Sequence, residues 1–203
     1  MMNTRGAKRS VSASSRSVMN LKREGYKSQS TLPQASRRSG RKCRSMLEKE
    51  KLDQWKEKVR LQENLPGLKV VEFEEKGRGV VSSYFIPRGS YVCEYCGKLL
   101  TREKALLKER EYESDATVGC YMYYFAFRGE KYCVDATEED GTLGRLINHS
   151  RTFANLKSQG IEVDETPHLI FYATRDIKPE EELLYDYGDR STASLRVHPW
   201  LKS

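Results

Sequence analysis

Long apolar runs are missing from this 203-residue chain. Nothing approaches the ~18 residues a membrane helix needs, and mean hydropathy is -0.74. A soluble protein with no membrane partner is expected. The opening residues, Met1-Met2-Asn3-Thr4-Arg5, contain no apolar stretch of the kind that begins a secretory signal, so export is not expected. Cysteine is scarce and odd in number. The five, at positions 43, 93, 96, 120 and 133, suit reduced thiols in the cytosol or nucleus better than a disulfide framework. Cys93-Glu94-Tyr95-Cys96 has the spacing of half a zinc site. No second cysteine pair with metal spacing follows, and an extended strand sends the two thiols to opposite faces, so no metal is expected. The GK[ST] element of a P-loop is absent. A βαβα alternation is also absent, which disfavours a Rossmann fold, and no internal repeat is visible.

Charge is present in abundance and is unevenly spread. Residues 1–60 carry 17 Lys/Arg against 5 Asp/Glu, and residues 61–203 carry 19 against 24. The net +7 is therefore a +12 arm on a -5 body. Such an arm suits phosphate backbones, with salt-sensitive affinity, and such a body suits a cationic peptide. Residues 1–43 are rich in Ser, Arg and Lys with no apolar period, and are expected to be a disordered basic tail. Arg37-Arg38-Ser39-Gly40-Arg41-Lys42 has the texture of a nuclear-import patch.

Ser45-Met46-Leu47-Glu48 has capping-box spacing, and Leu52, Trp55 and Val59 follow at helical intervals. The pattern predicts a helix over about 45–63, within a flanking segment 44–66, that lays its stripe on the body and stops near Asn64-Leu65-Pro66-Gly67. Beyond Gly67 short β-rich runs take over: 68–73, 80–86, 90–95, 120–127, 131–135 and 168–177. Pro87-Arg88-Gly89, Arg128-Gly129 and Pro179-Glu180 punctuate them, and one helix is expected over 101–113. The fold class is mainly β, with several small sheets and few helices.

Three segments carry chemistry. Lys76-Gly77-Arg78-Gly79 combines two cations with two residues that permit close backbone approach; alone it is as well explained by a plain hairpin turn. Arg145-Leu146-Ile147-Asn148-His149-Ser150 sets two hydrogen-bonding side chains after a buried pair, able to read an adenine or amine edge, or simply to satisfy one another. Glu182-Leu183-Leu184-Tyr185-Asp186-Tyr187-Gly188-Asp189 puts two tyrosines on one face of an extended segment. With Tyr95, Tyr121, Tyr123 and Tyr124 they could wall a narrow slot for a long aliphatic cation, or merely pack as strand residues do. A Cys120–His149 nucleophilic pair has no third orienting group to support it.

In this order the segments KGRG, Glu94-Tyr95, GCYMYY at 119–124, RLINHS and ELLYDYGDR resemble a SET domain, the lysine methyltransferase fold, over roughly 67–203. GCYMYYF, YCVDAT and the HPWLK terminus are most similar to the SET enzymes of PR/SET type that monomethylate a lysine of the histone H4 tail. Many SET enzymes carry zinc-binding cysteine clusters on both sides of the domain; here there are none, and residues 191–203 form a short cysteine-free flank after a domain spanning 67–190.

The resemblance implies small curved sheets around a C-terminal pseudoknot in which the RLINHS and YDYG segments thread one another. It implies S-adenosylmethionine as cofactor, held by Lys76, Gly77, Arg78, Tyr121, Asn148 and His149, with Trp200 closing over the adenine. The lysine would enter from the opposite face. Tyr187 would be the catalytic tyrosine, Tyr95 and Tyr185 would line the channel, and Cys120, Asp189 and His198 would touch the substrate. It implies a monomeric chromatin enzyme in the nucleus, on the chromosome, whose partners are the histone H4 tail and nucleosome, with the basic tail on nucleosomal DNA. The competing readings are a catalytically silent SET module that binds histone or nucleic acid, and a basic DNA-binding protein whose β domain is incidental.

Overall fold

The computed structural model describes residues 42–74, 76–114, 119 and 121–188. Residues 1–41 of the expected tail, with Cys120, Asp189, His198 and Trp200, therefore lie outside the described residues. Helix α1 spans Arg44–Arg60. It is shorter than the spacing predicts, and the capping box does not form. Cys43 is the N-cap without a side-chain bond, and Glu48 instead accepts from Arg44 Nε at 2.8 Å. The C-terminus closes early because Gln62 adopts a left-handed φ of 52°. Its N–H donates to Val59 O, and that of Glu63 to Lys58 O at 2.9 Å, the paired bonds of a Schellman stop. Trp55 and Val59 are buried on a satellite core with Tyr91, Ile161, Val163 and Ile170, so the predicted stripe does pack on the body.

Among the described residues ten strands make three sheets. Strands β1 (Leu68–Phe73) and β2 (Gly77–Ser82) form an antiparallel pair. The run expected at 80–86 is thus shifted: Gly77, Arg78 and Gly79 are strand residues opposite Phe73, Glu72 and Val71, and KGRG is not the turn itself. Strands β4 (Lys98–Thr101), β5 (Met122–Phe127) and β6 (Glu130–Asp135) form a second sheet in the order β4-β6-β5. Helix α2 (Arg102–Glu113) follows β4 directly, with Thr101 as its extended N-cap. The third sheet runs β3-β9-β8-β10-β7. Its members are β3 (Tyr91–Glu94), β7 (Asn148–His149), β8 (Leu156–Val163), β9 (Thr166–Ala173) and β10 (Leu184–Tyr185). Strand β9 ends at Ala173 rather than 177; Ile177 makes a separate bridge to Ile86.

The third sheet builds the threading that the resemblance implies. Strand β10 lies between β7 and β8 and runs parallel to both, Leu184 opposite Asn148, and Tyr185 opposite His149 and Leu156. Two-residue strands cannot hold themselves. The fully buried Asn155 supplies the missing bonds: its Oδ1 accepts from Leu184 N at 2.9 Å and its Nδ2 donates to Glu182 O at 2.7 Å. The main core, including Val80, Ile86, Val92, Ile147, Leu169, Phe171, Ile177 and Leu183, sits beneath this seam. Among the described residues no helix is long and apolar enough to cross a membrane.

Candidate active site

The threading brings four tyrosines from distant parts of the chain together. Tyr185 leaves β10 buried against Phe171 at 4.5 Å between ring centroids. Tyr123 of β5 stacks on it at 5.6 Å and meets Tyr95 at 5.3 Å. Tyr187, two residues on, lies 4.6 Å from Tyr185, as the spacing predicts for one face of an extended segment. Tyr95 donates its hydroxyl proton to Tyr121 O at 3.0 Å, and Tyr187 to Ile147 O at 3.2 Å. Tyr123 Oη is 2.8 Å from Ser158 Oγ. Burial holds the Tyr185 and Tyr187 phenols above their ordinary range, with neighbouring tyrosines adding to it. These hydroxyls stay protonated through neutral pH. An open groove of about 640 Å³ leads onto the cluster, lined by Tyr123, Tyr124, Arg151, Tyr185, Asp186 and Tyr187 among others.

Adjoining the tyrosines is a second, ionic cluster of side chains. His149 links the two: its ring meets Tyr187 edge-on at 4.9 Å, and its Nδ1 accepts from Tyr187 N at 3.0 Å. That bond requires an unprotonated Nδ1. The neighbouring Asn148 donates through Nδ2 to Arg78 O at 3.2 Å and to Glu182 Oε1 at 3.0 Å. Gly79 is what lets it approach, since a Cβ there would stand 2.7 Å from Asn148 Nδ2. Gly77 takes the left-handed φ of 71° that opens the strand. Lys76 Nζ pairs with Glu182 Oε2 at 2.9 Å, and Arg78 with Glu139 at 2.5 Å. Arg145 is buried with its Cζ 4.0 Å above the Tyr121 ring and its Nη1 3.4 Å from Glu139. Its Nε and Nη1 find no hydrogen-bond partner among the described residues.

Of the residues singled out in the sequence, Lys76, Gly77, Arg78, Tyr121, Asn148 and His149 thus gather on the ionic side, and Tyr95, Tyr185 and Tyr187 on the other. Tyr121 joins the two sides, its carbonyl bonded to Tyr95 and its ring beneath Arg145. Sequence reasoning names Tyr123 as a candidate wall of the slot, and it does join the cluster, but it missed Glu182, Glu139, Arg145 and Asn155. The last signal available was that Arg145 and Glu182 open the two motifs, yet their partners lie far off in the chain. Cys93 is buried and its thiol is pushed up; Cys96 is pushed up to about 12, chiefly by burial. No group of His, Cys, Asp and Glu able to hold a metal occurs among the described residues.

Comparison with known proteins bears on this geometry. The SET domain family matches residues 77–188. Histone-lysine N-methyltransferase Set8 of Drosophila pseudoobscura is 47% identical over 165 residues, which are 81% of this chain and 24% of that protein. N-lysine methyltransferase KMT5A of Xenopus tropicalis is 45% identical over 172 residues, 82% of this chain and 49% of that one. The chain thus spans a quarter to a half of the length of these relatives. The crystal structure of CpSET8 from Cryptosporidium superposes with a TM-score of 0.64 at 35% identity, covering 79% of this chain and 71% of that one. With its parallel β10 held between β7 and β8 and its two motifs abutting at His149 and Tyr187, this chain belongs to the SET-domain family.

Proposed function

We propose that the chain transfers a methyl group from S-adenosylmethionine to a lysine side chain of the histone H4 tail, and stops at one methyl. The carrying observation is that the ionic cluster, read as the cofactor cleft, and the tyrosine-lined groove meet through His149, whose ring abuts Tyr187, and Tyr121, whose carbonyl accepts from Tyr95 while its ring lies under Arg145. The names borne by the Drosophila and Xenopus relatives support the reaction class. The donor set fits the cofactor. Cations and carboxylates alternate along the cleft and the Asn148 amide is fixed beside them, as a zwitterionic amino acid requires. Lys76, Gly77, Arg78, Asn148 and His149 would hold it, with Tyr121 beside them. When bound, it supplies an electrophilic methyl on a sulfonium.

The chain's own residues do the rest. The nucleophile must be a neutral amine, and a free lysine near pKa ~10.4 is about one part in a thousand neutral at physiological pH, roughly 4 kcal/mol uphill. The aromatic rings clustered at the groove disfavour the ammonium form. Tyr187 and Tyr95 commit their protons to Ile147 O and Tyr121 O, so toward the amine their oxygens act as acceptors. They orient its N–H groups and leave its lone pair aimed at the cleft. Their committed hydroxyl protons make them positioning groups rather than bases, and the amine proton leaves to solvent through the groove. Tyr185, held between Phe171 and Tyr187, would crowd a second methyl. The basic arm would hold nucleosomal DNA, and the enzyme would act in the nucleus.

The test is incubation of the full chain with nucleosomes and isotopically labelled cofactor, followed by mass mapping. One added methyl on one H4 lysine is expected. Binding of S-adenosylhomocysteine without turnover would establish the silent module instead, and abundant dimethyl product would refute the product limit.

A further inference from the structure

Asn148 presents an amide whose two ends are chemically opposite, and something must decide which end faces the cofactor. Its Nδ2 lies 3.2 Å from Arg78 O and 3.0 Å from Glu182 Oε1. Both neighbours are pure acceptors, so the amide cannot be turned round without setting oxygen against oxygen twice. Both N–H donors are engaged, and Oδ1 is left to accept. Arg78 O belongs to the strand and is fixed by pairing, since Arg78 stands opposite Glu72. Glu182 is the variable member, and its backbone is pinned from three sides. Asn155 Nδ2 donates to its carbonyl at 2.7 Å, Leu183 N donates to Val80 O at 2.8 Å, and the residue bridges Val81. Its carboxylate is 15% exposed and spans Asn148 and Lys76, with its second oxygen 2.9 Å from Lys76 Nζ.

We infer that Glu182 is a positioning residue for methyl transfer: it locks the Asn148 amide with its oxygen outward and so fixes the acceptor for the α-ammonium of the cofactor's amino-acid end. A carboxylate behind an amide polarises the far oxygen, which favours a cationic donor over a neutral arylamine. Lys76 neutralises the other carboxylate oxygen and keeps Glu182 from competing for that ammonium itself. This inference rests on the reading of the cleft as the cofactor site, and it adds a residue that makes no contact with the cofactor of its own.

The experiment compares two ligands by calorimetry on the full chain. S-adenosylhomocysteine carries the amino-acid end and 5′-methylthioadenosine lacks it. Glu182→Met fills the same space without an acceptor, and Glu182→Gln keeps one acceptor for Asn148. Glu182→Met should bind S-adenosylhomocysteine about tenfold more weakly, the worth of one hydrogen bond to a charged group, with 5′-methylthioadenosine unchanged. Glu182→Gln should recover most of the loss. Equal weakening of both ligands, or no weakening of either, overturns the assignment of Glu182 while leaving the cofactor site standing. A wild-type chain that binds neither ligand overturns the functional reading and this inference with it.

Discussion

Replacing Gly144 with alanine probes the seam on which the site is built. Gly144 is buried and begins the short 3-10 turn Gly144–Leu146 that carries Arg145 into the cleft. A Cβ there would lie 2.9 Å from Tyr95 Cα and 3.0 Å from Glu94 C, and closer still to the Glu94 carbonyl oxygen. These are backbone atoms, so no side-chain rotation relieves the contact. Overpacking of this kind costs about 3 kcal/mol, at the upper end of the usual range. For a chain of this size each kcal/mol moves Tm by about 2–4 °C, so a fall of roughly 6–12 °C is expected in a calorimetric melt. The turn's retreat also drags Ile147 O, the acceptor of the Tyr187 hydroxyl. Methyl transfer per folded molecule should therefore fall as well. Gly129→Ala is the control: its φ is +88° but a Cβ would meet nothing within 4 Å, so only the backbone cost of about 1 kcal/mol applies. A Gly144→Ala chain that melts within about 1 °C of wild type, with turnover intact, refutes the reasoning.

Three further outcomes follow from burial. The Cys93 thiol is held above its ordinary 9.0, and Tyr91, Tyr185 and Tyr187 above 10.0, all chiefly by desolvation. The unfolded chain ionises first, so it binds fewer protons than the folded one and stability falls as pH rises. Stability should be complete below about pH 9 and fall by about 1.4 kcal/mol per pH unit above it from Cys93 alone, steepening near pH ~10 as the tyrosines join; a flat series of urea midpoints across this window contradicts the burial argument. Tyr185→Phe removes the hydroxyl proposed to limit the product and should yield dimethyl product on an H4 peptide by mass spectrometry; a purely monomethyl product rules out Tyr185 as the limit. Trp55→Ala deletes a buried ring that stacks on Tyr172 at 5.3 Å beneath Lys51. It should cost about 3–5 kcal/mol in denaturant titration while S-adenosylhomocysteine affinity of the folded chain is retained, because the satellite core lies apart from the cleft; a parallel loss of affinity counts against that separation.

The parts of the fold legible in the sequence are those with local signals. Leu68–Phe73 reads as a strand from its own residues, and Arg128-Gly129 announces the β5–β6 hairpin because its residues take φ of 51° and 88°. Strand β8 was illegible for the matching reason. Its turn to β9 uses Asp164 and Glu165 at φ 47° and 64°, a primed turn without the glycine or asparagine that normally marks one. The residue that breaks its run, Gly160, is there because Phe125 and Phe127 pack where a Cβ would be. The capping box failed for a competing local reason, the Arg44–Glu48 pair, and α1 ended early on a left-handed Gln62 that no propensity flags.

The site divides along the same line, and the division has a physical cause. Asn148, His149, Tyr185 and Tyr187 were visible because each motif is contiguous and its members act within two or three residues of one another. The groups that orient them act across 61 residues, as Arg78 and Glu139 do, or 106, as Lys76 and Glu182 do. Pairing over such separations is set by the threading, and the threading is set by a residue with no motif signature at all. Asn155 is fully buried, and every polar atom of its side chain is bonded to the segment carrying Glu181–Leu184. An unmade bond at such a site costs the full desolvation of the group, so the loop 150–155 has one low-energy way to close around β10. That closure places Tyr185 against His149 in register and brings Glu182 beneath Asn148. The chemistry of the site is thus written in short motifs, but its geometry is imposed by a buried amide lying between them.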